Sequence, residues 1–434
     1  MSSPATLRRA PLAGAALLHL LVVPILMSAP LPAQELDSDV ARLLRRSDVN
    51  QALREIGVRH EQVLSWQRAL ARIPAPTGDE GARARFVQRQ FQILGLEDIG
   101  IDGMGNVLGS WPRARVRPRI LLTAHLDTVF PAGTPLEHDW FGPRLVGPGV
   151  HDNARGIAVL LGAAEAFVRA GPLLNASVVF ACTVGEEGLG DLRGMKELFR
   201  PGGAAEGVDY VINVDGPGLD RIVNRGLGSR RYRVTYRGPG GHSWNDFGLV
   251  NPANALGRAI TRLASIPLPS SPRSSLNVGR VGGGTSVNTI PQEAWMEVDI
   301  RSEAAETLMR VEREAMDALV DVLREEREVH GDDRLELDAE LVGDRPAGAL
   351  PPNALLVRAV RAVTRALGVE PALSVSSTDA NVPLALGVPA VSLGGGGVGG
   401  RAHSPEEWFD AAEAQHGVER VFLLALLLGS LQEV

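Results

Sequence analysis

Residues that commonly bind metal ions in hydrolases recur along this sequence, and several of them follow apolar runs typical of strands. They are His125, Asp127, Asp152, Glu186, Glu187, Asp215 and His403. The runs are Ile120–Ala124 before His125, Ser177–Val184 before the two glutamates, and Val208–Val214 before Asp215. Ligands in α/β proteins gather at the carboxyl ends of strands, so we expect these side chains to converge. The series predicts a two-metal hydrolase.

His125 and Asp127 are two residues apart, and residues with this spacing in an extended chain point to the same side. Asp127 can therefore hold the far ring nitrogen of His125, which fixes the tautomer of the imidazole and raises its basicity as a ligand. The same pair standing alone would be interpreted as an ordinary histidine and aspartate at the end of a strand.

Asp152 offers two carboxylate oxygens, so it can bridge two metal ions that lie ~3.5–4 Å apart. The adjacent His151 is an alternative ligand. The five candidate ligands are His125, Asp152, one of the two glutamates, Asp215 and His403. Together they give each of two ions a histidine, a terminal carboxylate and one oxygen of the bridging Asp152. Without the other ligands, Asp152 would be interpreted as a solvated loop residue.

Glu186 and Glu187 follow an apolar strand, and successive side chains of an extended segment diverge. The two glutamates can therefore take different roles, one as a metal ligand and the other as a base. A zinc-bound water has its pKa lowered toward ~7, and a nearby carboxylate then suffices to remove its proton. The alternative is a solvated pair in a loop.

The elements that position these residues alternate between strand and helix as far as Asp215, which predicts a largely parallel sheet with helices on its faces. After Gly218 the pattern changes to that of an inserted α+β domain. We therefore predict a catalytic domain in two parts, 37–218 and 336–434, interrupted by a domain at 219–335.

Three local predictions accompany this organisation. The segment Asp37–Arg72 has a helical pattern that ends at a proline-rich break. Ser302–Arg327 is predicted to be a long charged helix with Ser302 as its N-cap. Glu406–Leu428 is predicted to be mainly helical and to close the chain.

The composition restricts the function classes. The net charge is −7, and removal of a leader that contains Arg8 and Arg9 but no acid would make it −9 (−7 − 2). A polyanion-binding protein usually has a basic excess, so nucleic acid is not an expected partner. Lys196 is the sole lysine, which leaves one candidate for Schiff-base chemistry, outside the ligand series. Cys182 lies in an apolar run and is predicted to be a core residue.

The first 33 residues resemble a secretory signal peptide. Arg8-Arg9 precede a mostly apolar run, Ala10–Met27, and a tail of small residues and prolines follows. We therefore expect a secreted or periplasmic protein. The alternative is an uncleaved membrane anchor, because the apolar run approaches the ~20 residues that span a bilayer.

The order His-x-Asp, Asp-Asn, Glu-Glu, Asp and His, with a long insertion before the last histidine, resembles the M20 family of metallopeptidases. The likeness runs from about Asp37 to the C-terminus and is greatest for peptidase T-type members and related amidohydrolases. It implies a zinc-exopeptidase-like fold with an inserted lid or dimerisation domain, and two divalent metal ions per chain, zinc being the expected metal. The ligands implied are His125, Asp152 and Asp215 for one ion, and Asp152, Glu187 and His403 for the other.

The resemblance also implies roles for the remaining residues. Glu186 would be the general base, and Asp127 would support His125. His242, in the segment Arg237–Ser243, resembles the lid histidine that, in dimeric members, reaches the partner's active site and stabilises the developing oxyanion. The alternative for this segment is a glycine-rich turn with a surface histidine.

Asn288 and Arg301 resemble the family's substrate-anchoring pair, and the fork of an arginine suits a substrate carboxylate. A structural ion pair at the end of a strand is the alternative for Arg301. One departure is Ala154, at a position where the family often has lysine. This departure puts details of substrate recognition in doubt more than metal binding.

We therefore expect cleavage of an amide bond in a small peptide, as in an aminopeptidase or tripeptidase, by a homodimer formed through the lid domain. An N-acyl-amino-acid deacylase and a catalytically inactive binding protein are the alternatives. Another group of two-zinc aminopeptidases has a similar ligand order. The 188-residue step from Asp215 to His403 (403 − 215) and the Gly-Gly-His-Ser segment favour the M20 family.

Overall fold

The computed structural model describes residues 33–112, 116–171 and 175–431. Within these residues the chain forms two compact units. The larger unit contains the chain up to Gly226 and again from Gly348, and the smaller unit is Leu227–Ala347. The predicted leader, 1–33, lies outside the described residues except for its last position.

Eleven α-helices lie within the described residues. In chain order they are α1 (Ala33–Arg45), α2 (Ser47–Val58), α3 (His60–Ala71), α4 (Gly81–Leu94), α5 (Ala154–Ala170), α6 (Arg193–Leu198), α7 (Pro252–Ala264), α8 (Ala305–His330), α9 (Leu355–Ala366), α10 (Asn381–Ala385) and α11 (Gln415–Ser430). No helix in the described part of the chain is both long enough and apolar enough to cross a membrane.

The longest of the described strands, of ten residues each, are in the smaller unit, which also contains two strands of two residues. In chain order they are β1 (Glu97–Ile101), β2 (Val107–Trp111), β3 (Arg119–His125), β4 (Asp139–Phe141), β5 (Arg144–Val146), β6 (Ser177–Thr183), β7 (Tyr210–Val214), β8 (Arg221–Gly226), β9 (Gly228–Arg237), β10 (Gly241–His242), β11 (Ser274–Gly283), β12 (Thr289–Ile290), β13 (Glu293–Ser302), β14 (Glu336–Arg345), β15 (Gly348–Ala349), β16 (Ala372–Ser376), β17 (Ala390–Leu393), β18 (Val398–Gly400) and β19 (Trp408–Asp410).

The main sheet of the larger unit has the order β1-β2-β6-β3-β7-β17-β8-β15, with β16 also paired to β8. Its central strands β6, β3, β7 and β17 run parallel, and the flanking pairs are mainly antiparallel. A second sheet has the order β18-β19-β5-β4. The predicted fold class, a mixed and mostly parallel sheet flanked by helices, is confirmed.

Both faces of the main sheet are covered, as in other parallel sheets. On β3, Ile120 and Leu122 belong to the apolar cluster that contains α5 and α11, whereas Leu121 belongs to a cluster on the other face. Burial of a leucine or isoleucine side chain contributes ~1.5–3 kcal/mol. Packing on both faces therefore holds β3, the strand that ends at His125, in a fixed position.

The smaller unit is built on an antiparallel sheet with the order β11-β13-β9-β14, and the short β10–β12 ribbon accompanies it. Residues along β13 alternate between buried and half-buried. The buried set, which includes Met296 and Ile300, packs in one cluster with α7 and α8. The unit is therefore a helix-covered sheet with one polar face.

The boundaries of the smaller unit, Leu227–Ala347, differ from the predicted 219–335. The difference comes from two strands that the sequence pattern did not reveal. β8 pairs with β17 and β16 in the main sheet, so the first boundary lies after it. β14 pairs with β9 along its whole length, so the second boundary lies beyond it.

The three local predictions of helix are confirmed in type, and their boundaries and the N-cap need correction. The segment predicted as helical at Asp37–Arg72 forms α1, α2 and α3, because turns at Arg46 and Arg59 bring apolar residues of all three helices into one core. Ser302 is the last residue of β13, and the N-cap of α8 is Ala304. In Glu406–Leu428, β19 comes first and α11 begins only at Gln415.

Candidate metal centre

The carboxyl ends of three neighbouring parallel strands position most of the predicted ligands. His125 is the last residue of β3, Asp215 directly follows β7, and the Glu186-Glu187 pair comes shortly after β6. β3 pairs with both β6 and β7, so these ends lie side by side. The expected convergence therefore occurs in the larger unit.

Asp152 lies between two imidazoles. Its Oδ1 is 3.2 Å from Nε2 of His125, and its Oδ2 is 3.1 Å from Nε2 of His403. His403 Nε2 is also 3.0 Å from Oε1 of Glu187, and His125 Nε2 is 3.8 Å from Oδ1 of Asp215. One carboxylate thus contacts both histidines through different oxygens, as a bridging ligand would.

The donor atoms form compact groups within the described residues, with all atoms of a group within 4.8 Å of one another. The groups are His125, Asp152 and Asp215; Asp152, Glu187 and His403; and His125, Glu186 and Glu187. The first two are the ligand sets that the resemblance implies. The third places Glu186 beside the same centre.

The carboxylates grouped at this site favour the binding of a cation. Hydrogen bonds with Asp152 and with Glu187 raise the pKa of His403 to about 10. Burial alone would lower the pKa of His125, but its three neighbouring aspartates raise it well above the usual value. Asp152 Oδ1 is buried and forms no well-aligned hydrogen bond, its nearest polar contact being His125 Nε2 at 3.2 Å. Such a buried charged oxygen is costly unless a cation binds there. Nitrogen and carboxylate donors of this kind suit zinc and related divalent ions, so the residues fit two of them.

Asp127 organises both the histidine and the glutamates. Its carboxylate Oδ1 lies 3.5 Å from Nδ1 of His125, and its backbone oxygen lies 3.1 Å from the same nitrogen. The carboxylate also accepts hydrogen bonds from the backbone N–H groups of Glu186 and Glu187, at 3.0 and 2.9 Å, and from the Thr77 hydroxyl. Although burial opposes it, these contacts lower the Asp127 pKa to about 2. A proton held on Nδ1 leaves Nε2 of His125 free to bind a metal.

Two supporting residues were not found from the sequence. Glu407 is fully buried and accepts from the backbone N–H groups of His151 and Asp152, at 2.8 and 3.0 Å. Asn153 caps α5 by accepting from Gly156 N–H, and its amide donates to Val214 O, one residue before Asp215. An Asn before a helix is a recognisable N-cap, whereas nothing local identifies Glu407.

His151, the alternative to Asp152, belongs to none of the ligand groups formed by the described residues. It is buried, and its Nε2 lies 3.4 Å from the backbone oxygen of Gly400. Its Nδ1 lies 3.7 Å from Oε1 of Glu407. His151 therefore contacts Gly400 and Glu407, whereas Asp152 contacts His125 and His403.

In the smaller unit, the β10–β12 ribbon brings two predicted substrate residues together. His242 pairs with Thr289, and Ser243 N–H donates to the backbone oxygen of Asn288 at 3.0 Å. His242 Nδ1 accepts from the backbone N–H groups of Trp244 and Asn245, at 3.2 and 3.4 Å. Nδ1 is therefore an acceptor, so the neutral ring carries its proton on Nε2 and can donate from there.

Arg301 does not join these two residues within the unit. It is the second-last residue of β13. The first residue of that strand, Glu293, closely follows β12 of the ribbon. Arg301 is eight residues further on (301 − 293), or ~26 Å along the strand. Its Nε donates to Oδ2 of Asp299 at 2.7 Å. The alternative interpretation of Arg301 was a structural ion pair at the end of a strand, and its contact with Asp299 is such a pair. A substrate-binding role for Arg301 stays a prediction.

Comparisons with known proteins point to one family. The family model for peptidase family M20/M25/M40 matches residues 121–427. Succinyl-diaminopimelate desuccinylase of Cereibacter sphaeroides is 28% identical over 371 residues, which cover 80% of this chain and 93% of the relative. The chain spans 42% to 53% of the length of three other curated relatives that it matches, and 58% to 70% of the length of four more.

Solved structures share the fold. Aminopeptidase PepT from Bacillus cereus has a TM-score of 0.69 and 22% sequence identity, covering 85% of this chain and 98% of its own. The Bacillus subtilis YxeP protein, described as a dinuclear metal-binding peptidase from the M20 family, has a TM-score of 0.63 and 17% identity, covering 86% and 99%.

Proposed function

We propose that this chain, which belongs to peptidase family M20/M25/M40, cleaves an amide bond in small peptides. It is a metallopeptidase or amidohydrolase of that family, and the proposed reaction uses two divalent metal ions, zinc being the expected metal. Aminopeptidase or tripeptidase activity is the proposed form. The observation that supports this most is the Asp152 carboxylate, whose two oxygens contact His125 and His403 separately.

The ions would be held by the first two ligand groups, with Asp152 shared between them. When bound, such ions polarise a carbonyl and lower the pKa of water. Glu186 accepts the proton of the attacking water and then delivers it to the nitrogen of the leaving amine. Its backbone N–H is fixed by Asp127, so the side chain starts from a defined position.

His242 is proposed to donate a hydrogen bond from Nε2 to the developing oxyanion. The backbone contacts at its Nδ1 support this, since they leave the proton on the other nitrogen. A homodimer through the smaller unit, in which His242 of one copy serves the site of the other, belongs to the same proposal. Export of the chain by its first 33 residues is also proposed, and N-terminal sequencing of the mature protein would test it.

A second candidate is the same hydrolysis on an acylated amino acid. The similarity to succinyl-diaminopimelate desuccinylase over most of both chains supports this candidate. An inactive binding protein is disfavoured, since every predicted ligand and Glu186 are present and grouped.

The test is the metal content of the purified protein together with hydrolysis of a panel of dipeptides, tripeptides and N-acyl amino acids. We expect about two divalent ions per chain and cleavage that a chelator abolishes and zinc restores. The panel distinguishes peptidase from deacylase. Absence of both metal and hydrolysis after zinc is restored would contradict the proposal.

A further inference from the structure

The segment that contains the two glutamates is held by side chains rather than by a strand. β6 ends at Thr183, and the next four backbone N–H groups all donate to side-chain oxygens. These bonds are Val184 N to Asn106 Oδ1 at 3.0 Å, Gly185 N to Glu80 Oε1 at 3.1 Å, Glu186 N to Asp127 Oδ1 at 3.0 Å, and Glu187 N to Asp127 Oδ2 at 2.9 Å. Two carboxylates, Asp127 and Glu80, therefore hold the backbone of the proposed base.

Glu80 is neither a proposed metal ligand nor the proposed base, yet its carboxylate contacts three segments of the chain. Its Oε1 accepts from Gly78 N–H at 3.0 Å, from Gly185 N–H, and from Nη2 of Arg193. The side chain is only 5% exposed. It joins the start of α4, the glutamate segment and the first residue of α6.

Arg193 completes this contact from the other side. Gly185 has φ +66°, and a Cβ built there would lie 2.1 Å from Nη1 of Arg193. The guanidinium therefore packs directly against the backbone of Gly185, at a position where only glycine leaves the necessary space. Hydrogen bonds between ionised groups are about twice as strong as neutral ones, so this pair is a firm support for the segment.

We propose that Glu80, with Arg193 as its partner, is a positioning residue that fixes the segment 184–187 and thereby the direction of the Glu186 carboxylate. The inference rests on the proposed function, since it assigns Glu80 to the placement of the proposed base. A base displaced by ~1 Å can lose ~10²-fold in rate, so the placement has a measurable consequence.

The test compares Glu80→Gln, Glu80→Ala and Arg193→Met with the wild type in the metal-loaded enzyme. Gln keeps an acceptor oxygen but loses the charge, so we expect kcat to fall about 10-fold for Glu80→Gln and about 100-fold for Glu80→Ala, with Arg193→Met close to the former. KM should stay within about twofold of wild type, because neither residue is expected to touch substrate. The assays use saturating metal, because Glu187 in the same segment is a proposed ligand and metal affinity should fall when the segment moves.

Glu165→Gln is the matched control. Glu165 is also buried and pairs with two arginines, Arg59 and Arg169, but it lies in α5, and both of these ion pairs are made outside the segment 184–187. Any general loss of stability from removal of a buried ionised carboxylate should appear in this variant as a lower Tm with unchanged kcat.

A second readout does not need activity. Hydrogen exchange of the amides at 184–187 in the metal-free protein should be faster in both Glu80 variants and unchanged in Glu165→Gln. Normal kcat in Glu80→Ala, or exchange at 184–187 as slow as in wild type, would overturn the inference. If the wild type hydrolyses nothing in the panel, the proposed function fails, and the exchange comparison still decides whether Glu80 holds the segment.

Discussion

The metal centre of the larger unit and the β10–β12 ribbon of the smaller unit contain the two sets of predicted functional residues, and they differ in burial. At the metal centre, His125 and Asp127 are 1% and 0% exposed and their contacts come from several elements, and of the ligands that the structure describes only His403 is exposed, at 52%. In the turn that follows β10, Trp244 and Phe247 are 83% and 88% exposed and lie within five residues of His242. The first set is held mainly by buried contacts within the larger unit, whereas the second set lies on an exposed surface of the smaller unit.

This difference has a consequence for mutation. Substitutions of the metal ligands and of the residues that orient them should change metal binding or stability as well as rate, because buried charges there depend on one another. Glu186 belongs to neither predicted ligand set, so its substitution should change rate alone. Substitutions on the ribbon should change rate alone, because exposed side chains contribute little to stability. The following predictions test this contrast, from the largest expected effect to the smallest.

Glu186→Gln should lower kcat by about 10²–10⁴-fold, the usual contribution of a general base. Metal content should stay at the wild-type value, because Glu186 is not in either of the predicted ligand sets. Steady-state kinetics and metal analysis of the same preparation check both points. Near-normal turnover would show that Glu186 is not the base.

His242→Ala should lower kcat by about 10²–10³-fold, the typical cost of one lost oxyanion donor. Its Tm and metal content should match the wild type, since His242 lies on the exposed ribbon. A fall in metal content would contradict the separation between the two regions, and an unchanged kcat would remove His242 from the mechanism.

Asp127→Asn should weaken metal binding by about 10–100-fold, as is usual when a residue that orients a histidine ligand is altered. The variant also loses a charged acceptor for the backbone N–H groups of both glutamates. Competition with a chelator measures the affinity. Wild-type affinity would show that Asp127 does not tune His125.

Trp244→Ser should change the free energy of unfolding by no more than about 0.5 kcal/mol, because the side chain is almost wholly exposed. Chemical denaturation measures this value. A loss of ~2 kcal/mol or more would show that the ribbon is covered in the native protein and would weaken the contrast between the two regions.

The sequence predicts that His125, Asp215 and the two glutamates converge because they follow apolar strands, and the ends of parallel strands must meet. Asp152 and His403 follow no such strand, and only the family resemblance implies how the ligands divide between two ions. The sequence was also sufficient for the fold class, since both faces of the central strands are apolar. Neither inference required knowledge of distant contacts.

Other features could not be predicted because they depend on distant partners. Glu407 supports Asp152 from 255 positions away (407 − 152), and Glu80 contacts Gly185 from 105 positions away. β8 and β14 were missed, so the unit boundaries were misplaced by several residues. Ser302 has the residue type of an N-cap but ends a strand.

The central claim is that Asp152 is shared by two metal ions, and anomalous X-ray diffraction at the zinc edge from zinc-loaded crystals tests it most directly. The account predicts two peaks ~3.5–4 Å apart, one beside His125 and Asp215 and the other beside Glu187 and His403, with Asp152 between them. A single peak at full zinc loading in active enzyme, or two peaks of which one lies away from Asp152, would contradict it.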